Sequence, residues 1–469
     1  MPKSKVIMIG LVAFVVLAAA ISVYAASGAS FGPPVQVTPD PGKGYEPSGV
    51  TDRYGNIFAT AHKENYQLIL GPDPNSPTYT RSMSWAWTST NGGKTFIDIP
   101  GLTQLSIEQH EFGDEGDMAL DDADHLYYVD TNVADDTITR WNVTGPGIQY
   151  MTIDYTRPLI PSMQLVDDRP WVTAHGDGHV LYIGNEGDKV TYPLGMGTGS
   201  GFGPGRYTAY RSSDGGRTFD NFGYTLRDSG WCRPAADHAS GSKYFIVVCG
   251  NDGGANDVFT PNNPKGSIYA YVSSNDGQTF ERYNVGTYQS VDSTTSWPTV
   301  YFSPDGSIWA LFVDAGNLDQ STCGFDPTTG MTLCDPTSNR IMLYHSTDKG
   351  KTWKSQNITP LIGRYRYGWL SVSKDGKRLG LGIFYKPSDD TTAWRVYGAI
   401  WTPGQKPTLV SLAQNDPVAS ATGEPPGDYM CSFFNLDGTV NVIWTRDDPP
   451  VGGAVNLSRT IFFDRSLTK

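Results

Sequence analysis

The chain has 469 residues, with 35 Lys and Arg against 48 Asp and Glu and a formal net charge of −13. That balance argues against a nucleic-acid partner, because phosphate binding needs clustered Lys and Arg. The 53 Gly, 32 Pro and 26 Tyr suit an all-β protein rich in turns, and no stretch carries a convincing helical period.

In chain order, Lys3 and Lys5 precede an apolar run from Val6 to Val23, and Val23-Tyr24-Ala25 offers a small-x-Ala cleavage site. The pattern predicts a secretory signal over 1–25, cut after Ala25. Kept uncleaved, the run nears the length of a membrane anchor. No later segment has that length and apolarity, so no stable membrane span is expected after cleavage. The expected location is secreted or cell-surface. Residues 26–40 read as an exposed lead-in, and 41–469 as a single domain.

That domain repeats one pattern. A polar start leads into a strand-like run, then a D-x-x-G-like turn, then a second apolar strand. The copies begin near Glu46, Glu115, Arg169, Arg233, Trp297, Tyr367 and Asp428, spaced 54 to 70 residues apart. Regular spacing of this kind marks a radial repeat, since a four-stranded blade with its loops needs about 40–50 residues or more. The expected fold is a β-propeller of seven four-stranded blades. Six is the alternative, should one unit be eroded or merged.

Units one, three, four and five each carry the motif S-x-[DN]-x-G-x-T-[WF] late in the unit. The copies are Ser89–Phe96, Ser212–Phe219, Ser273–Phe280 and Ser346–Trp353. Asp or Asn can cap a tight turn by accepting backbone N–H groups. Gly supplies a backbone conformation that a Cβ disfavours. The final aromatic can fill the gap between strands. Unit two has Asn142–Gly147 (NVTGPG) in this place. The motif resembles the Asp-box, or BNR, repeat of sialidases and related β-propellers. The resemblance covers nearly the whole chain as architecture, and it places these boxes in structural turns.

The resemblance also implies a chemistry that can be compared segment by segment. A sialidase site holds a substrate carboxylate with several arginines, because guanidinium gives permanent bidentate charge. It uses a Tyr nucleophile activated by a Glu, and an Asp as acid/base; the Tyr sets it apart from most glycosidases. The best match is the segment 339–385. There Arg340 stands before a box and looks like an anion-binding arginine, and Tyr367 follows the box and looks like the nucleophile. Elsewhere the pattern departs. Tyr45-Glu46-Pro47 stands where an R-I-P motif is expected. Ser296-Trp297-Pro298 replaces the Glu, and Val313-Asp314 replaces a further Arg. The catalytic set is therefore incomplete.

The starts of the first strands should converge on the central channel. On this register the ring carries Glu46, Glu115, Arg169, Arg233, Trp297, Tyr367 and Asp428. Acids, guanidiniums and aromatics together suit an oligosaccharide, and an acid pair such as Glu46 with Asp428 suits glycoside hydrolysis if its separation is right. The bland alternative is a water-filled channel with solvated charges. The function expected is a sialidase-like propeller that binds an extracellular glycan or polysaccharide on the channel face, with glycoside hydrolysis unproved. The alternative is a non-catalytic propeller with a protein partner, since some Asp-box propellers assist the assembly of complexes.

Five cysteines fit an oxidising compartment. Cys232 with Cys249 and Cys323 with Cys334 are expected as disulfides, leaving Cys431 as a buried thiol. Asn142, Asn357 and Asn456 begin glycosylation sequons. The acidic stretch Glu108–Asp124 offers carboxylates for calcium without the EF-hand order. No cofactor is otherwise implied. His175 and His179 (HGDGH) form a weak zinc pair in a turn. The run Gly195–Gly205 lacks the Lys and helix of a phosphate loop.

Overall fold

A computed structural model describes residues 29–38, 44–62, 86–102, 115–131, 136–159, 170–186, 206–221, 223–226, 231–251, 265–289, 298–314, 323–326, 331–334, 339–387, 394–413, 418, 425–427, 429–447 and 459–467. The signal assigned to 1–25 lies outside these residues. Among those described, no helix is long and apolar enough to cross a membrane.

Seven four-stranded antiparallel sheets form the blades of a β-propeller. The first strands run Tyr45–Thr51, Glu115–Leu120, Trp171–His175, Trp231–Ala236, Thr299–Phe302, Gly363–Val372 and Cys431–Phe434. Each pairs with the second strand of its own blade. In blade three, Trp171 faces Ile183 and His175 faces His179, so a tight turn joins the two strands. The count of seven removes the six-bladed alternative.

The second strands explain the packing. Ile57–His62 and Ile308–Asp314 are buried along their whole length. A strand in mid-blade has a neighbouring blade on either side, so both of its faces must be apolar. The cores accordingly lie between blades. Ile246 and Val248 of blade four pack with Val300, Ile308 and Phe312 of blade five. Phe58 of blade one packs with Met118, Leu126 and Trp141 of blade two.

Blade seven closes the ring. Its second and third strands, Val440–Asp447 and Arg459–Arg465, pair with each other, and Val35–Gln36 adds the fourth strand through Val35↔Phe463 and Gln36↔Phe462. Val37 and Thr38 are buried. Residues 31–38 are therefore not the exposed lead-in expected from their sequence. They belong to the last blade, because a two-residue strand gains stability from the pairing partner it meets at the far end of the chain. The propeller domain begins before residue 41 for the same reason.

The four motif turns share one hydrogen-bond pattern. In blade three, Ser212 Oγ accepts from Gly216 N at 2.9 Å and donates to Asp214 Oδ1 at 2.7 Å. Asp214 accepts Thr218 N at 2.9 Å and Thr218 Oγ1 at 2.6 Å. Ser89, Ser273 and Ser346 accept from Gly93, Gly277 and Gly350 in the same way. Each turn leans on the blade before it. Phe96 packs on Phe463 of blade seven with centroids 5.3 Å apart. Gly93, at φ +84°, lies so close to that ring that an added Cβ would sit 2.1 Å from it. In blade two this place holds a single 3-10 turn, Ile148–Tyr150.

A disulfide joins Cys232 to Cys249, which face each other on the first two strands of blade four. Cys323 and Cys334 are opposite one another in a two-stranded hairpin that projects from blade five; their side chains lie outside the described residues. Cys431 is a buried free thiol.

Candidate functional site

The first turn of each blade opens on Asp52, Asp121, His175, Asp237, Ser303, Ser373 or Asn435. Four residues earlier stand Ser48, Asp117, Trp171, Arg233, Thr299, Trp369 and Cys431. These are equivalent positions, and they meet across the central channel. Ser48 donates to Asp117 Oδ1 at 2.5 Å, and Val172 N donates to Asp117 Oδ2 at 3.0 Å. Leu370 N donates to Thr299 Oγ1 at 3.0 Å, repeating the blade-two contact between blades five and six.

Arg233 is the centre of this ring. Its guanidinium carbon lies 3.6 Å from the ring centroid of Trp171 and 4.0 Å from that of Trp369. Stacking of this kind is favourable for a planar, weakly hydrated cation. Arg233 is only 8% exposed, and its Nη1 is buried without a hydrogen-bond partner. Nη2 is 3.9 Å from Asp117 Oδ1, close enough for charge attraction and too long for a hydrogen bond. Burial pushes the Asp117 carboxyl up, while Arg233, Ser48 and Val172 N–H pull it down. Burial also pushes the Cys431 thiol up to about 12, so Cys431 is no ready nucleophile at neutral pH.

A cavity of about 160 Å³ lies against this ring, lined by Ser48, Asp117, Arg233, Thr299, Tyr301 and Trp369 and reaching His238 in the first turn of blade four. Tyr429 flanks the indoles, with centroids 4.9 Å from Trp171 and 6.1 Å from Trp369. Charge, hydrogen-bonding groups and flat apolar walls thus meet in one place.

The expected ring and the observed one share Arg233 alone. Glu46, Glu115, Arg169, Trp297 and Tyr367 stand two residues before observed ring positions, and Asp428 three before Cys431. Two residues is one strand repeat, but register shifts interrupt that alternation between Glu46 and Ser48 and between Tyr367 and Trp369. Aligning the seven units on their turn residues, instead of on their polar starts, would have found Asp117, Trp171 and Trp369. Glu46 and Tyr367 occupy matching kinks. Each has positive φ, 56° and 54°, at a register shift in its first strand. Both are buried, and the Tyr367 ring stands edge-on to Phe384 at 6.3 Å. Positive φ is uncommon for such residues and clusters at sites under functional constraint.

Arg340 starts the third strand of blade five, Arg340–Ser346, away from the ring of first strands. Its Nη2 donates to the buried Asp314 Oδ2 at 2.6 Å. Glu115 opens the first strand of blade two, and its side chain lies outside the described residues, as do Arg169, Trp297 and Asp428. The carboxylates at the end of the acidic stretch are occupied. Asp121 accepts N–H groups from Ala123, His125 and Gly178 and the Tyr127 hydroxyl, and Asp124 accepts from Arg53 at 2.5 Å. Residues 108–114 lie outside the description.

No protein-family profile matches this chain, and no curated protein matches it. Solved structures resemble it distantly. One is a protein of unknown function from Dyadobacter fermentans, with 14% identity, TM-score 0.49, and coverage of 94% of this chain and 99% of that one. Another is an α-L-arabinofuranosidase from Fusarium graminearum in complex with an iminosugar inhibitor, with 11% identity, TM-score 0.42, and 93% and 97% covered. A third is an ulvan lyase of a polysaccharide lyase family, with 10% identity, TM-score 0.41, and 93% and 94% covered. Nothing about activity follows from likenesses of this size.

Proposed function

We propose that this chain is a secreted propeller that binds an extracellular glycan bearing a carboxylate or similar anion in its central channel. The observation that carries the proposal is Arg233, a buried guanidinium held flat between two indoles with one nitrogen unpartnered. A buried donor without an acceptor is costly, and an anion or hydroxyl arriving from a ligand would satisfy it. The cavity volume is on the order of that which holds a benzene-sized guest, so it suits one substituent or ring of a glycan. In the catalytic form of the proposal, Tyr367 is the nucleophile and Arg233 binds the anion, since Arg340 is paired to Asp314 away from the channel. Its support is the strained position of Tyr367 on a strand of the channel ring.

The test uses the purified mature chain on a panel of fluorogenic glycosides, sialosides and uronides included, beside a glycan array. Arg233→Lys should weaken binding of acidic glycans selectively, because ammonium cannot stack or bind bidentately in its place. Sialoside turnover abolished in Tyr367→Phe would support the catalytic form. Turnover that survives this change would assign hydrolysis to other groups. No binding and no turnover of any acidic glycan would remove the proposal.

A further inference from the structure

His125, His175, His179 and His238, four of the seven histidines, lie in or beside the first turns of blades two to four. Two of them make an unusual group. His175 and His179 are Cα partners across the turn of blade three, and their rings stack with centroids 5.3 Å apart and planes 7° apart. Blade four brings up Asp276 on its motif turn. The residue sits at φ 57°, and its N–H donates to Lys243 O at 3.0 Å.

Asp276 Oδ1 is 3.6 Å from His175 Nε2 and 3.6 Å from His179 Nδ1. Neither distance is a hydrogen bond. All three atoms are buried, and none has a hydrogen-bond partner. His175 is 2% exposed and packs on Phe245 at 4.5 Å. Three converging atoms each carry a desolvation cost that charge attraction at 3.6 Å offsets in part and no hydrogen bond offsets. Donors bound to one ion at about 2.1 Å lie about 3.5 Å apart at a tetrahedral angle. Each nitrogen-to-oxygen separation already matches that spacing. As placed, the two nitrogens stand too far apart to share one ion, so binding requires a swing of the His179 ring, whose side chain is 35% exposed.

We propose that His175, His179 and Asp276 form a divalent transition-metal site of zinc's class, which ties the first turn of blade three to the motif turn of blade four. Two imidazoles and one carboxylate suit zinc, with solvent as a further ligand. Calcium and magnesium prefer oxygen throughout. Burial and the neighbouring His179 lower the proton affinity of His175, which favours the neutral imidazole that a metal takes. Lys243 Nζ, 3.9 Å from Asp276 Oδ2, and Asp122 and His238 nearby set the remaining local charge.

The test is calorimetric titration of the chelator-treated mature chain with zinc chloride, alongside the visible absorption of its cobalt(II) form. One ion per chain is expected, with the cobalt bands of a four-coordinate site. Asp276→Asn and His179→Ala should each weaken binding at least tenfold. Asn tolerates the left-handed backbone at 276, so the turn survives the change. Affinity should fall as pH drops through the imidazole range, because protons compete for both nitrogens. Asp177→Asn is the control, since Asp121, His125 and Asp177 form a neighbouring group of ligand atoms. Absence of zinc and cobalt binding in the wild type overturns the proposal. So does binding that survives both variants, or binding lost only in Asp177→Asn.

Discussion

The four motif turns and the seven channel positions are both repeats, and they behave in opposite ways. Every motif turn has the same residue pattern, the same hydrogen bond from a Gly N–H to a Ser Oγ and an aromatic at its end. The channel positions are Ser48, Asp117, Trp171, Arg233, Thr299, Trp369 and Cys431, all at one place in the blade, and no two neighbours around the ring are the same residue. A turn solves a local backbone problem, so one solution serves every blade. The ring solves a collective problem. Seven side chains share one axis, and seven copies of any one would crowd it with like charge or like bulk. A repeat protein can therefore hold its scaffold constant and place its chemistry where the copies must differ.

The comparison can be broken most forcefully at the ring. Arg233→Ala removes the cation facing the buried Asp117, and the loss of a buried partner typically costs about 3 kcal/mol or more. Urea unfolding should show this, and Arg233→Met with Asp117→Asn should recover much of it. A loss no larger than that of a surface substitution would mean that the ring is solvated and not a packed centre.

A smaller loss is expected in the motif turns. Gly93→Ala combines a left-handed φ with a collision against Phe463 and should cost about 2 kcal/mol. Gly404, at φ +88° with nothing within 4 Å, isolates the backbone part alone, and Gly404→Ala should cost roughly 1 kcal/mol. Equal melting temperatures for the two variants would show that the turn does not depend on its seat against the previous blade.

Ser212→Ala removes the acceptor for Gly216 N and should cost about 1 kcal/mol. The same change at Ser89, Ser273 or Ser346 should cost nearly as much, because the bond is the same. A wide spread among the four would make the turns as individual as the ring.

The smallest effect sharpens the contrast through pH. Hydrogen bonds from the side chain and backbone of Thr352 hold the Asp348 carboxyl down to about 2. A depressed acid contributes stability above its unfolded pKa and loses it as pH falls towards about 2. Asp348→Asn should flatten acid unfolding in that window and change neutral stability by only a few tenths of a kcal/mol, since Asn91 and Asn275 fill the same place in two sister turns. Asp117 shifts the other way. Its raised carboxyl favours the folded state when protonated, and that contribution is lost as pH rises through its folded value. Asp117→Asn should therefore remove a loss of stability that sets in as pH rises above the ordinary carboxylate range, read by unfolding across pH.

The sequence by itself determined what is local. Seven turns, their spacing and the four boxes follow from Gly, Asp and Ser placed within a few residues of one another, and those contacts form in any blade that folds. The Cys232–Cys249 pair was legible for a similar reason, since the two residues face each other on adjacent strands. Depth was not legible. A period of two residues says which face of a strand turns inward, and it says nothing of how far along the strand the channel narrows. The expected ring shares only Arg233 with the observed one, and Asp117, Trp171 and Trp369 stand two residues beyond the expected Glu115, Arg169 and Tyr367. Contacts between distant segments were equally hidden. Val35 meets Phe463 only once the ring closes, and Asp276 meets His175 and His179 only once blade four stands beside blade three. Those partners are chosen by the radial packing of whole blades, which no short stretch of sequence contains.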